Sequence, residues 1–190
     1  MGVTGKIASG KSLAAGFVKK IKKEVTVIDV DEVAKGIYSK NPGVLTKIGE
    51  LFGNDVFNSR GGLDFRLLAG KVFSDKNQLD KLNKLMFPLI KSEVREILAK
   101  KLLESYKIVD AAVLFGCGLD EFCDFTVLVE SSEKRREKYL RQSGLPEDEI
   151  KLKVEGQHIK INKDKVDFII NNDGSKEDLF LKVGEILKNI

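Results

Sequence analysis

The sequence holds no tryptophan, one histidine, two cysteines and three prolines among 190 residues, and each shortage narrows the chemistry open to it. A histidine-rich metal site or a Ser-His-Asp triad would have to be built around His158 alone, and no Asp and Ser pattern stands near it. Cys117 and Cys123 lie in Cys-Gly-Leu-Asp-Glu-Phe-Cys, a spacing that fits neither a Cys-x-x-Cys redox pair nor a zinc knuckle. Both are expected to be reduced thiols acting as small hydrophobes. Eleven Phe and three Tyr are too few for a platform that stacks single-stranded nucleic acid. Neither charge sign dominates: 33 Lys and Arg against 29 Asp and Glu give +4, which suits phosphate-bearing ligands and falls short of a nucleic-acid-binding surface. No apolar run approaches the roughly 20 residues that cross a bilayer, and no apolar signal block opens the chain. The expectation is a cytoplasmic protein with neither a nucleic-acid nor a membrane partner.

What remains is ample core material, 42% hydrophobic residues beside 33% charged ones, enough for one domain. Short apolar runs alternate with stretches of helical period, the pattern of a parallel sheet covered by helices. The strand candidates are Met1 to Thr4, Val25 to Asp29, Ile108 to Phe115, Phe125 to Val129 and Val166 to Asn171. Between the second and third, Asp31 to Lys107 repeats aliphatic residues at three and four residue intervals and reads as a helical insertion divided by turn signals such as Asn41-Pro42-Gly43 and Gly61-Gly62. Ser131 to Gly156 is strongly charged, and a helix from Lys176 to Asn189 closes the chain.

The sharpest motif is Gly5-Lys6-Ile7-Ala8-Ser9-Gly10-Lys11-Ser12, a full match to G-x-x-x-x-G-K-[ST] between a short apolar strand and the helical stretch that starts at Leu13. In such a loop successive N–H groups turn inward and the helix adds its positive end, making an anion cradle. Gly5, Ala8, Ser9, Gly10, Lys11, Ser12 and Leu13 are therefore the candidate nucleotide contacts, with Lys11 reaching the outer phosphates and the Ser12 hydroxyl turned to Mg²⁺. Asp110, at the end of Ile108-Val109-Asp110, is the candidate carboxylate partner of that metal, an ordinary strand-end aspartate being the alternative.

A phosphate loop does not by itself choose between kinases, GTPases and ATPases. Asn162-Lys163-Asp164 is not the guanine-reading Asn-Lys-x-Asp, because it lacks the spacer and precedes the last strand. Val27-Ile28-Asp29-Val30-Asp31-Glu32 puts two carboxylates just past the second strand, where parallel sheets bind ligands. Strand alternation would turn Asp29 and Asp31 to the same side, towards the loop. Asp31 could accept the proton of an acceptor hydroxyl during in-line transfer. Its structural alternative is an N-cap for a helix from Glu32 to Ser39.

These residues together resemble the dephospho-CoA kinase family. The likeness runs from Gly2 to Ser12 and Asp29-Val30-Asp31 through Leu68 to Phe73, Leu85-Met86-Phe87-Pro88-Leu89-Ile90, Asp110 to Phe115, Gln157 and Val166 to Gly174. It implies an α/β P-loop kinase-like fold: a parallel five-stranded sheet flanked by helices (core 1–31, 107–131 and 157–190), a helical CoA-binding insertion (about 32–106) and a lid (about 132–156). It also implies transfer of the terminal phosphoryl group of ATP, with Mg²⁺, to the ribose 3′-hydroxyl of dephospho-CoA, with Asp31 at the position of the family's catalytic base. Another small-molecule or nucleoside kinase, or a nucleotide- or CoA-binding protein with little transferase activity, is the alternative.

Departures from the family pattern gather on the acceptor side. Lys6 and Ala8 replace loop glycines, Phe87 replaces a histidine, Ala112 a proline and Gly116 a glutamate, and an expected Asp-Arg reads Asp64-Phe65-Arg66. Lys35 aligns with a family arginine near the acceptor. Asp29, Asp31, Lys35, Arg66 and Phe87 are the candidate substrate contacts, although Val72, Phe73, Leu82, Leu85, Phe87 and Ile90 also read as core of the insertion. Three of the six arginines fall at Arg135, Arg136 and Arg141. Arg136 is the candidate for stabilising the transferring phosphoryl group, with Arg135 and Arg141 on the nucleotide. A solvated helix with ion pairs from Glu133 and Glu137 to Arg136 and Arg141 is the alternative.

Overall fold

The computed structural model describes residues 1–100, 106–155 and 161–190, so Gln157 and His158 lie outside the described residues. Five strands, β1 (Gly2–Thr4), β2 (Val25–Asp29), β3 (Tyr106–Asp110), β4 (Thr126–Glu130) and β5 (Phe168–Asn171), form one parallel sheet in the order β2-β3-β1-β4-β5. The register sets Val3 beside Asp110 and Asp110 beside Asp29. Three chain segments therefore leave the sheet at one edge, the edge where ligands bind in open parallel sheets.

Each face of the sheet is covered. Helix α1 (Lys11–Ile21) buries Ala14, Ala15, Phe17 and Val18, and the final helix, α8 (Lys176–Lys188), buries Leu179, Val183 and Leu187; both pack with Val3, Ile108, Val127 and Val129. On the other face Ile28 and Val109 meet helices α2 (Val30–Lys40), α3 (Pro42–Phe52), α4 (Phe65–Ser74) and the long α5 (Lys76–Ala99). Ile108 and Val109 thus feed opposite layers, as strand alternation requires. The expected helical character of the segment after β2 holds among the described residues, where its one sheet-like pairing is an isolated bridge between Phe57 and Leu63. Val72 and Ile90 are buried there, and Phe73, Leu82, Leu85 and Phe87 pack against the same core.

The charged stretch forms two helices, α6 (Glu133–Gln142) and α7 (Glu147–Glu155). They enclose a small core of Leu140, Ile150 and Val154, against which Ile7 and Ala8 of the glycine-rich loop rest. No helix among the described residues is long and apolar enough to cross a membrane. Both cysteines are free, and burial pushes the Cys117 thiol up to about 11, so it stays protonated.

Two expectations need correction. The run Ile108 to Phe115 is a strand only as far as Asp110. The ladder closes with Ala111 N–H donating to Val3 O, because β1 turns into the loop after Thr4 and leaves no partner. The apolar residues that follow are buried as a turn, with Cys117 N–H donating to Val113 O and Leu114 fully enclosed. Periodicity does not separate a buried strand from a buried turn in so continuous an apolar run. The helix placed at Glu32 to Ser39 begins at Val30, and its cap is Asp29, whose Oδ1 accepts the N–H groups of Asp31 (2.9 Å) and Glu32 (3.2 Å). Asp31 is therefore neither the N-cap nor on the extended strand; it sits in the first helical turn.

Helix α8 starts with a capping box: Ser175 Oγ accepts from Asp178 N–H at 3.0 Å and an Asp178 oxygen accepts from Ser175 N–H at 2.7 Å. Ser175→Ala is expected to lower unfolding free energy by about 1 kcal/mol, read as a shifted urea midpoint with unchanged slope.

Candidate active site

The loop between β1 and α1 is shaped by close approach. A Cβ on Gly5 would lie 2.3 Å from Val129 O, so only glycine lets the loop leave β1 against β4. Gly10, the residue before α1, has φ 99°, and a Cβ there would fall 2.3 Å from the Asn172 amide nitrogen. That amide donates to Ser9 O at 2.8 Å, fastening the loop to the segment after β5. Ala8 has φ 59°, a left-handed conformation that L-residues enter at a cost. Lys6, the other replaced glycine, keeps a negative φ and bears its Cβ without strain.

Lys11 and Ser12 open α1 and face Asp110 across the sheet edge. The Lys11 Nζ lies 4.0 Å from Asp110 Oδ1. Asp110 is 4% exposed, and among the described residues its Oδ1 has no hydrogen-bond partner. Burial pushes this carboxyl above the ordinary range; Ser12 and Lys11 oppose the rise only in part, and the charges of Asp29 and Asp31 add to it. A serine hydroxyl beside a buried carboxylate oxygen without a partner is the hard-oxygen donor set that suits Mg²⁺, an ion that takes one or two protein oxygens and completes its shell with phosphate and water. The residues fit the metal.

The carboxylates at the junction of β2 and α2 divide their tasks. Asp29 Oδ1 is committed to the cap of α2, whereas Asp31 is exposed in the first turn, and its carboxylate, like that of Asp29, acts through space on Asp110. The expected convergence of Asp29, Asp31, Lys11, Ser12 and Asp110 on one edge is present, reached through the helix N-terminus and not through strand alternation.

A groove of about 590 Å³ runs along the loop and is lined by Ala8, Gly10, Lys11, Ser12 and Leu13 on one side. Its other wall holds residues that the motif alone did not nominate: Lys138, Tyr139 and Gln142 of α6, then Asn172 and Lys176. The turn sequence Asn172-Asp173-Gly174 after a strand was the available signal for the last two. Arg135 also lines it, but its guanidinium is engaged, donating to Asp173 O at 2.9 Å and to Gly174 O, so it ties α6 to the segment after β5.

Other candidates stand apart from the groove. Arg141 is not on its wall; it pairs with Glu137 and, across the turn, Glu147. Arg136 is buried on another side of α6, with Glu133 at 3.6 Å, and lines a different cavity. Arg141 follows the ion-pair alternative on a solvated face; Arg136 also has a carboxylate three residues away but is enclosed, and its place on α6 turns it away from the loop's inner face. Lys35 is exposed and held by Glu32 at 2.6 Å, which raises its pKa. Arg66 reaches α7, with Glu149 at 2.9 Å and Asp148 at 3.9 Å. Phe87 packs on the insertion's core, and its ring lies 3.6 Å from where a Gly116 Cβ would be, so these two departures from the family pattern are spatial neighbours.

The family model for dephospho-CoA kinase matches residues 1–178. The chain belongs to the dephospho-CoA kinase family. It is 34% identical over 197 residues to the dephospho-CoA kinase of Fusobacterium nucleatum, covering all of this chain and 97% of that protein. Among solved structures it resembles the TT1252 protein of Thermus thermophilus, with a TM-score of 0.75, 25% identity and 100% and 96% of the two chains covered. The dephospho-CoA kinase structure from Campylobacter jejuni shares the fold at a TM-score of 0.64 and 20% identity, with 99% and 94% covered. As a member of the dephospho-CoA kinase family the chain is a phosphotransferase with the P-loop kinase fold.

Two outcomes follow from the site's local physics. Ala8→Gly relieves about 1–2 kcal/mol of left-handed strain and returns roughly 0.5–1 kcal/mol of chain entropy to the unfolded state, so its unfolding free energy in urea should equal or exceed wild type by up to about 1.5 kcal/mol. For Asp110, a raised folded pKa means that the native state holds the proton more tightly than the unfolded chain, so its ionised carboxylate lowers stability at neutral pH and this loss fades as pH falls through the raised pKa. Metal-free Asp110→Asn should melt above wild type at neutral pH, by a margin that shrinks in mild acid, and should lose the Mg²⁺-dependent rise in nucleotide affinity.

Proposed function

We propose that this chain transfers the terminal phosphoryl group of ATP to the ribose 3′-hydroxyl of dephospho-CoA, giving coenzyme A and ADP, with Asp31 as the general base. The observation that carries the reading is the meeting, at one sheet edge, of the loop with Lys11 and Ser12, the buried Asp110 and the exposed carboxylate of Asp31. Membership of the family over nearly the whole chain supports the acceptor.

Loop N–H groups and Lys11 hold the outer phosphates, and the positive end of α1 favours the charge that builds there. The Ser12 hydroxyl and the Asp110 carboxylate would hold Mg²⁺, which would supply positive charge to offset that of the phosphates. Asp31 takes the proton of the acceptor hydroxyl as that oxygen approaches the terminal phosphorus. Asp29 supports this indirectly, since its cap fixes the helical turn that carries Asp31. The nucleotide lies in the groove between the loop and α6, with Lys138, Tyr139 and Gln142 as contacts. We assign the α6–α7 pair the part of a lid that excludes water over the phosphates, and the helices α2 to α5 the part of an acceptor-binding insertion.

Coupled ADP release with MgATP, comparing dephospho-CoA with adenosine and with no acceptor, tests the reading. Release should depend on dephospho-CoA, and the product should gain one phosphate by mass; acceptor-independent release would overturn it. Asp31→Asn should retain MgATP affinity while kcat falls by roughly 10²- to 10⁴-fold, and wild-type turnover in that variant would remove Asp31 from the role.

A further inference from the structure

A second cavity, about 380 Å³, lies on the other side of the loop from the nucleotide groove, between the end of β4, the start of α6 and the segment at Ile161 and Lys163. The loop divides its residues between the two: Ala8, Gly10, Lys11 and Ser12 line the groove, while Lys6 and Ser9 line this cavity. Helix α6 divides likewise, with Arg135, Lys138, Tyr139 and Gln142 on the groove and Glu133 and Arg136 on the cavity.

The cavity wall carries two buried polar groups with unmet hydrogen bonds. Arg136 is 2% exposed, yet among the described residues its Nε and Nη1 have no hydrogen-bond partner, and its Nη2 makes an ion pair with Glu133 at 3.6 Å that is too long for a hydrogen bond. A guanidinium remains charged throughout the physiological range, so a buried one whose ion pair, among the described residues, is with the exposed Glu133 at 3.6 Å leaves much of its desolvation penalty uncompensated. Ser9, 1% exposed, has a hydroxyl that also lacks a partner. These donors come from segments more than a hundred residues apart in sequence. Of the remaining charges on the wall, Lys163 is neutralised by Glu130 at 2.9 Å, whereas the ammonium of Lys6 makes no ion pair. Three cations face two carboxylates, and a ligand with several acceptor oxygens and negative charge would answer Arg136, Ser9 and Lys6 together. The planar fork of arginine matches a tetrahedral oxyanion in that way, and a single water does not.

We infer that this cavity is a second oxyanion site, separate from the Lys11 cradle, which takes a phosphate group between Arg136, Lys6 and the Ser9 hydroxyl. The inference stands on these residues alone and does not depend on which acceptor the kinase uses. The ligand is either free phosphate or a phosphoryl group carried by a substrate, and both present the same oxygens to Arg136.

Inorganic phosphate titrated calorimetrically into the full chain, first saturated with MgADP so that the cradle is filled, is the direct test, with chloride at matched ionic strength as the control. Wild type should bind one further phosphate. Arg136→Leu should weaken that binding about tenfold or more with MgADP affinity retained as the check on folding; apolar replacement of buried ion-paired groups by residues of similar volume is often tolerated. Should that variant fail to fold, Ser9→Ala supplies the comparison and should weaken phosphate by a smaller factor. No phosphate heat beyond chloride in wild type, or equal phosphate affinity in wild type and the variants, would overturn the site. Repeating the titration with saturating dephospho-CoA separates the sources: displacement of phosphate supports a substrate phosphoryl group, and simultaneous binding supports free phosphate.

Discussion

Parallel strands deliver their C-terminal ends to one edge of a sheet, and in this chain the pairing of β3 with both β1 and β2 decides what meets there. Val3 stands beside Asp110, and Asp110 beside Asp29. A shift of one residue in either pairing would turn every side chain to the opposite face and would exchange Ile108 and Val109 between layers that each bury them almost completely. Core packing therefore locks the register, and the register sets the loop, the buried carboxylate and the start of α2 side by side. The cost of holding Asp110 ionised next to Asp29 and Asp31 is carried by that packing, which makes the carboxylate available to a cation.

The loop is constrained from both neighbouring strands. Gly5 passes too near Val129 O for any side chain, and Asn172 holds the carbonyl of Ser9 from the far side of β4. The cradle is thus shaped by β4 and β5 as much as by its own glycines, and the segment after β5 reappears in the nucleotide groove through Asn172 and Lys176. Arg135 reinforces the same junction by donating to the carbonyls of Asp173 and Gly174, while Asp173 accepts from Ser131 Oγ and Ser132 N–H. One asparagine and one arginine, neither of them in the motif, keep three separate segments in a common frame.

How much of this could be read beforehand depended on whether a residue's neighbours were local. The five strands, their parallel arrangement and the loop were legible because apolar runs, turn residues and the G-x-x-x-x-G-K-S spacing are local signals, whereas the order of the strands was not. The overrun of β3 to Phe115 arose where an apolar run continues from strand into buried turn. Asp31 was read as following an extended strand, whereas the cap formed by Asp29 starts the helix at Val30, two residues earlier than the carboxylate pattern implied. The arginines of α6 were legible only as a group. That helix has one dominant apolar residue, Leu140, so its sequence does not declare which face is inward, and a buried Arg136 is found only once β4 and the loop are in place.

Energetically the molecule is uneven. The sheet and the helices on its two faces share large apolar clusters, whereas the α6–α7 pair is held by Leu140, Ile150 and Val154, by Ile7 and Ala8 beneath them, and by ion pairs at its rim. Among the links to the insertion is the pairing of Arg66, 69% exposed, with Glu149 and Asp148 of α7 beside the contact of α4 with α7. Ion pairs of a largely exposed side chain contribute roughly 0–1 kcal/mol, far less than the apolar clusters that hold the sheet. Elements with few buried contacts are the ones that open locally at low cost. The stiff part of the chain carries Lys11, Ser12, Asp110 and Asp31, and the weakly held part is the α6–α7 pair that rests on Ile7 and Ala8, which suits the lid proposed for it better than the sheet would.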